Sequence, residues 1–541
     1  MDCPVTGELV PDVIIVGAGS AGCVLAARLS EDPRRTVILL EAGGKGGGLL
    51  VTMPAGSFAL MGRANADWNY RTEPDPTIDG RTLTWSGGRM LGGSSAINGM
   101  VYSRGQRQDY DRWVADGAAG WSWDEVLPYF RKSERIAGPD RMVRNAEVHG
   151  SSGPLVVGPS AVRHPLTDAV RDAFVAVGIP RRDEYCAGDQ HGVYDILTTA
   201  VGGRRCSTAI AFLEPALKRP NLRVITGAIA DRVLVEDGQA VGVAVLRDGM
   251  PMELRAREVV VSAGTMGSPA ILMRSGIGPA SHLRELGLTV HADLPVGRNL
   301  QEHNGFAISK LVDRPTYNSP AGPLTIASNL VRWLVAKNGP MASAAVHLMA
   351  GFKSKPDLSE PDISSSFLPL AIDLSTGRPR LHPKPGITVG ANCMRPDSRG
   401  EIRLRDTDPR SPPVIEHRLL GDERDVRRLV AAGRILATVF AAAPLAKHVV
   451  GACNPSQIPE SDADWIAYIR SSAVIGYHPV GTCRMGGAGS VVDAALSVHG
   501  IRGLRVADAS VMPTLVSGNT NAAAIMIAER AADFIAGRAT A

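Results

Sequence analysis

The first residues able to do chemistry are Gly17, Gly19 and Gly22, spaced Gly-x-Gly-x-x-Gly, with Glu41 at the end of the next apolar run. Glycines at this spacing let a backbone turn tightly and approach a pyrophosphate, and a carboxylate roughly 20 residues on can hold a ribose hydroxyl. The chemistry implied is the binding of a dinucleotide. It requires a strand, a helix whose N-terminus offers unpaired N–H groups, and a second strand closed by the acid. The sequence supplies them as Val13-Ile14-Ile15-Val16, the amphipathic segment Ala21 to Leu29, and Val37 to Leu40. Ser20 and Ala21 lie within the glycine turn and Ala42 directly follows the acid, so they join the candidate cofactor residues. Glu41 would repel a 2′-phosphate at close range, which leaves FAD and NAD.

Two further glycine-rich segments point to the same ligand. The run Gly87 to Gly99 is crowded with small residues; Leu91, Gly92, Gly93, Ser94, Asn98 and Gly99 within it, and Met100 and Val101 directly after it, are candidate contacts. Small side chains there let the backbone lie against a flat or charged ligand with its amides offered as donors. A third segment, Ser262 to Pro269, follows a strand and opens a helix, Ala270 to Ser275, and contributes Ala263 and Gly264. Three cradles far apart in the chain imply one long ligand.

Strand-like runs (Val224 to Thr226, Glu258 to Ser262, Leu504 to Val506) alternate with helical stretches, which indicates an α/β class, α+β overall. A chain of 541 residues exceeds what one hydrophobic core supports, so at least two domains are expected. A net charge of +4 implies no polyanionic partner and excludes nucleic acid. Seven cysteines, Cys3 among them, are odd in number and form no C-x-x-C, which fits reduced thiols. Twelve histidines without an H-E-x-x-H give no metal site, and Gly92-Gly93-Ser94-Ser95-Ala96 lacks the second glycine of a serine-nucleophile elbow. No secretory signal opens the chain, and the apolar tract Leu429 to Ala446 contains Arg434 and Pro444 and reads as a packed helix. The expectation is a cytoplasmic protein with no transmembrane segment.

The chain resembles the glucose-methanol-choline (GMC) oxidoreductase family, close to its choline dehydrogenase-like branch. The resemblance rests on VIIVGAGSAGCVLAARLS with LLEAGG, DWNYRTEPDP followed by GGRMLGGSSAINGMVYSRG, VVVSAGTMGSPAILMRSGIGP, LPVGRNLQEH, and YHPVGTCRMG with VADASVMPTLVSGNTNAAAIMIAERAADFI. It implies FAD in a Rossmann-like domain with a discontinuous, sheet-containing substrate domain. The FAD-binding parts would be residues 1–160, 200–310 and 470–541, and the substrate parts 161–199 and 311–469. It also implies that Gly17, Gly19, Gly22 and Glu41 take the ADP half, that Ala230 meets the adenine, and that Leu91 to Met100 pass the pyrophosphate and isoalloxazine. Members that attach flavin covalently can carry a histidine where this chain has Ile97, so the FAD is expected to be non-covalent.

By the same resemblance His478 and Asn521 are the catalytic pair, with Asp508, Ala509, Asn519 and Thr520 on the flavin side. An alcohol losing a hydride to flavin N5 must also lose its hydroxyl proton, and imidazole is a suitable base; a neutral amide can bind the same oxygen. The helix after Asn521 is apolar and should be buried, so that its N-terminal dipole would favour anionic reduced flavin. The expected substrate is a primary alcohol, aliphatic or benzylic, with oxygen or a quinone-type compound as acceptor. The alternative is a flavin-containing lyase of the hydroxynitrile lyase type, with no net redox. Trp333, His347, Phe367 and Tyr477 are candidate pocket residues, although aromatic side chains read first as core.

Overall fold

The computed structural model describes residues 10–138, 147–318, 322–373 and 380–539; Cys3 and the N-terminal residues read above lie outside them. Val13–Val16 is buried throughout, and Val37–Glu41 and Glu258–Val261 nearly so, as expected for central strands with apolar residues on both faces. They form a parallel five-stranded sheet in the order Leu222–Thr226, Val37–Glu41, Val13–Val16, Glu258–Val261, Leu504–Val506. The first strand of the chain is therefore central, with Val13 paired to Val37 on one side and Glu258 on the other. The carboxyl end of such a strand opens on a crevice where ligands bind, and here that end is Gly17.

Helix Ser20–Leu29 is buried along almost its whole length because the C-terminal helix Asn521–Ile535 lies against it. A buried ion pair, Arg28 to Glu529 at 2.8 Å, clamps the two. Helix Gly264–Arg274 begins earlier than the sequence suggested and runs through Pro269. Proline cannot donate to the carbonyl of Thr265, and the Thr482 hydroxyl donates to that oxygen instead, at 2.7 Å. The tract Leu429 to Ala446 divides into helices Glu423–Ala441 and Ala443–Ala446, with Pro444 in the first turn of the second. Among the described residues no helix is long and apolar enough to cross a membrane.

The second sheet is antiparallel, in the order Leu348–Phe352, Ile363–Leu368, Gly386–Cys393, Asn304–Val312, Val449–Asn454, with Val474–Ile475 paired to the start of Asn304–Val312. Burial alternates strictly along Ile363–Leu368, so one of its faces meets the core. The expected domain boundary at 310/311 falls inside Asn304–Val312, and the segment expected to return to the cofactor part at 470 still contributes Val474–Ile475 to this sheet. The chain thus enters the second sheet at Asn304 and leaves it at Ile475. Because Asn304 pairs with Ile475, His303 and His478 are brought together at that crossing.

Candidate active site

The glycines pack against one another. Gly17 has φ +100°, its N–H donates to Leu40 O at 2.9 Å, and a Cβ on Gly22 would stand 1.8 Å from Gly17 O. Gly92 N donates to Ala18 O at 2.8 Å, and a Cβ on Gly93 would lie 2.6 Å from the Cα of Gly19. The first and second glycine segments are therefore in direct contact, with Ser20 and Ala21 opening the helix beside them. By contrast, a Cβ at Gly99 or Gly264 would meet nothing within 4 Å, and one at Gly19 only Ser262 O at 4.0 Å. Bare backbone open on one side and helix N–H groups on another fit a dinucleotide such as FAD.

Glu41 is buried, accepting from Ala18 N at 3.0 Å and Gly43 N at 2.8 Å. Each carboxylate oxygen keeps a lone pair for a ribose hydroxyl. Ala42 follows at the strand end, and Leu91 N donates to Gly44 O at 3.2 Å, which holds the second segment beside it. Ala230 is buried in strand Ala228–Glu236, its carbonyl accepting from Arg274 at 3.3 Å. Ser94 Oγ accepts from Gly88 N at 3.2 Å. Asn98 Oδ1 accepts from Met100 N and from Arg205, at 3.1 and 2.7 Å, and Met100 takes the left-handed φ of +61° before Val101 starts strand Val101–Tyr102.

Arg205 is itself buried. It donates to Val51 O, Ser95 O, Asn98 O, Asn98 Oδ1 and Ser57 Oγ, all uncharged oxygens. Burial alone pulls its guanidinium down to about 9. Ile97 packs in an apolar cluster with Val51, Leu60, Ala66, Met90 and Ala96, and offers no nucleophile.

Asp508 is held from within the fold. Its carboxylate accepts from Gly264 N at 2.9 Å, Ser268 Oγ at 2.6 Å and Ser510 N at 2.8 Å, so that it ties the third glycine segment to the turn Ala509–Val511. The N–H of Ala263 is likewise taken, by Ser268 Oγ at 3.0 Å.

The structure sets the two members of the expected pair apart. Asn521 is turned away from His478 and accepts through Oδ1 from Ser20 Oγ at 2.7 Å, joining the starts of the two packed helices. Asn519 stands at His478 instead, with Nδ2 2.8 Å from His478 Nε2. Thr520 between them occupies the N-cap position without a side-chain capping bond, and at this boundary the two asparagines take different partners. The Oδ1 of Asn519 is buried and has no partner among the described residues.

A chain of hydrogen bonds fixes the proton positions. His303 Nε2 lies 2.9 Å from Met394 O, which can only accept, so Nε2 carries the hydrogen. Burial pushes His303 down to about 4, so the ring is neutral and its Nδ1 is bare. That Nδ1 lies 2.9 Å from His478 Nδ1, which must therefore be the donor. Burial, reinforced by His303, holds His478 well below the usual histidine range, so it too is neutral and its bare Nε2 accepts from Asn519.

Glu302 accepts from His478 N at 2.9 Å, and burial raises its carboxyl to about 8. Glu302, His303 and His478 also bring ligand-type atoms within 4.8 Å of one another, as metal ligands would. Each of those groups is already engaged in the hydrogen bonds just described.

The sequence reading did not single out His303 or Arg205. His303 closes LPVGRNLQEH, one of the segments that carried the resemblance. Arg205 left no comparable signal. Trp333, His347 and Phe367 are buried, as core aromatics are, whereas Tyr477 is about half exposed.

A dinucleotide cradle at the end of a central parallel strand, next to a neutral imidazole and an amide that precede the C-terminal helix, defines a flavin-dependent oxidoreductase acting on a hydroxyl group. The family models described as GMC oxidoreductase match residues 11–305 and 396–528, and the chain belongs to this family of FAD-dependent alcohol oxidoreductases. It is 40% identical over 537 residues to a mitochondrial choline dehydrogenase of Mus musculus, covering 97% of this chain and 89% of that one. It is 37% identical to an oxygen-dependent choline dehydrogenase of Rhizobium johnstonii, covering 97% and 96%. Among solved structures it matches pyridoxine 4-oxidase from Mesorbium loti with a TM-score of 0.87 at 32% identity, covering 96% of this chain and 98% of that one. Formate oxidase matches with a TM-score of 0.90 at 25% identity, covering 98% and 99%.

Proposed function

We propose that this protein oxidises a neutral primary alcohol, aliphatic or benzylic, to the aldehyde, with His478 as base and Asn519 as its partner on the alcohol oxygen. The observation that carries this reading is the bare Nε2 of a neutral His478, 2.8 Å from Asn519 Nδ2, in the helix-start region joined to the glycine cradle. A hydroxyl entering here gives its proton to Nε2, while the Asn519 Nδ2–H that now meets Nε2 donates to the alcohol oxygen instead. His303 keeps the Nδ1 hydrogen in place, so the proton has one destination. FAD held by the three glycine segments supplies the hydride acceptor.

Glu302, the carboxyl nearest the base, is neutral below about pH 8 and occupied by backbone N–H. It offers no charge to a quaternary ammonium, which supports a neutral alcohol over choline, the substrate named for the relatives above. Those relatives are dehydrogenases, and the matched structures are oxidases; none of them supports the lyase alternative. The buried Ile97 at the position of a covalent histidine supports non-covalent FAD. A cytoplasmic location belongs to the same reading.

The test is an anaerobic titration followed in the visible spectrum with aliphatic, benzylic and amino-alcohols and choline, followed by admission of air. Bleaching by neutral primary alcohols is expected; bleaching by choline alone would overturn the substrate assignment, and no bleaching by any alcohol would overturn the reaction. The rate of colour return in air separates oxygen from a quinone-type acceptor. Acid precipitation should leave the yellow colour in the supernatant, and a yellow pellet would refute non-covalent binding.

A further inference from the structure

The helix Pro323–Ala336 is anomalous. Only Trp333 among its fourteen residues is buried, yet its composition is that of a core helix. Leu324 is 88% exposed, Val335 82%, Val331 59% and Leu334 45%. At 100° per residue, Leu324, Val331 and Val335 align on the side opposite Trp333, with Leu334 at its edge. Trp333 anchors the helix by packing with Met53 and Ala342, and its indole N–H donates to Gly203 O at 2.7 Å. From the stretch that receives it, Leu49 and Phe58 are also exposed. Scattered exposed leucines are ordinary in a folded chain, but an aligned apolar helix face marks an interaction site.

Charge selects the partner. Residues 42–66 and 322–342, the helix and the stretches packed with it, contain no carboxylate, while they carry Lys45, Arg63, Arg332 and Lys337. Arg332 lies on the helix itself, and Lys337 follows its last turn with the ammonium 4.1 Å from the Trp333 ring centre. A second copy would set cations against cations with no acid on either helix to receive them. A layer of anionic headgroups over acyl chains satisfies both the apolar face and the basic rim. We propose that this helix lies in the surface of an anionic phospholipid membrane as a peripheral docking element. The docked face is connected to the cofactor side of the fold, since Ser57, beside exposed Phe58, donates to Asn98 O at 3.0 Å.

The experiment is flotation of the full-length, flavin-loaded protein with phosphatidylcholine vesicles containing or lacking phosphatidylglycerol, at low and high salt. The protein should float with the anionic vesicles, less so in high salt, and poorly with phosphatidylcholine alone. L324E/V335E should lower the apparent vesicle affinity about 100-fold, on about tenfold or more for each aliphatic side chain no longer buried. R332E should bind more weakly and lose part of the salt dependence. Alcohol turnover in detergent-free buffer should be unchanged in all three proteins, which separates this proposal from the assignment of the reaction. Wild-type protein that stays at the bottom of the gradient with anionic vesicles would overturn the proposal. So would a salt-insensitive dimer in sedimentation that L324E/V335E converts to monomer, because the face would then belong to a second copy.

Discussion

Replacing His303 with leucine removes the acceptor for the Nδ1 hydrogen of His478 while keeping side-chain bulk. Two losses follow from the geometry. The buried His478 Nδ1–H is left without its 2.9 Å partner, and Met394 O loses the His303 Nε2 donor at 2.9 Å. An unsatisfied buried donor costs about 1–3 kcal/mol, and His478 avoids that cost by moving its hydrogen to Nε2 or by rotating, either of which withdraws the base. The expected fall in kcat/KM is thus about 5- to 150-fold, carried mainly by kcat, because the proton is taken in the transition state. The pH profile should move too. His478 acts as base only when neutral, so rate is lost as pH falls through its pKa, and wild type should keep rate to below the usual histidine range. Since His303 is one of the two influences lowering that pKa, His303→Leu should move the acid limb upward. His303→Asn, whose Oδ1 can stand near the former Nδ1, should recover part of kcat. Steady-state kinetics from pH 5 to 9 with flavin content measured in each variant decides the matter. A leucine variant with full flavin, unchanged kcat/KM and an unmoved acid limb would refute the relay.

Asn519→Ala should reduce kcat/KM by about 10²-fold with flavin retained, the scale for one lost transition-state donor, whereas Asn521→Ala should mainly loosen flavin and leave turnover per flavin within a few fold; the reverse order would restore the sequence-based pair. Glu529→Ala strands Arg28 at the interface of the two packed helices and should destabilise the fold by about 3 kcal/mol, read as a thermal midpoint several degrees lower. Stability should rise from pH 4 to 6.5, because buried His303 and His347, both pushed down to about 4, bind fewer protons folded than unfolded in that window. Glu302, raised to about 8, has the opposite sign from its ordinary 4.5 upward, so this set predicts a maximum near pH 6.5 and a decline to pH 8. Denaturation midpoints measured from pH 4 to 8.5 test that shape, and a fall between pH 4 and 6.5 on warming the pH upward would contradict it.

The cofactor part of the fold was legible because its signals are local. A β-branched run, glycines that alone tolerate φ +100° at Gly17 and the 1.8 Å approach at Gly22, and an acid at the next strand end are read within thirty residues. Nothing local told which asparagine of Gly518-Asn519-Thr520-Asn521 faces His478, because that depends on where the helix begins and on Ser20 of another helix claiming Asn521. The expected domain boundary cuts a strand for a similar reason: Asn304–Val312 and Val474–Ile475 join one sheet only through long-range pairing.

By itself the sequence determined the dinucleotide cradle, the α/β class, the family and the presence of a candidate base at His478. Tertiary structure alone decided the state of that imidazole. It joined His303 to His478 across 175 residues, buried both until they are neutral, and aimed the one bare nitrogen at Asn519. Strand register and burial set protonation and tautomer, and both are properties of packed neighbours that no local spacing encodes.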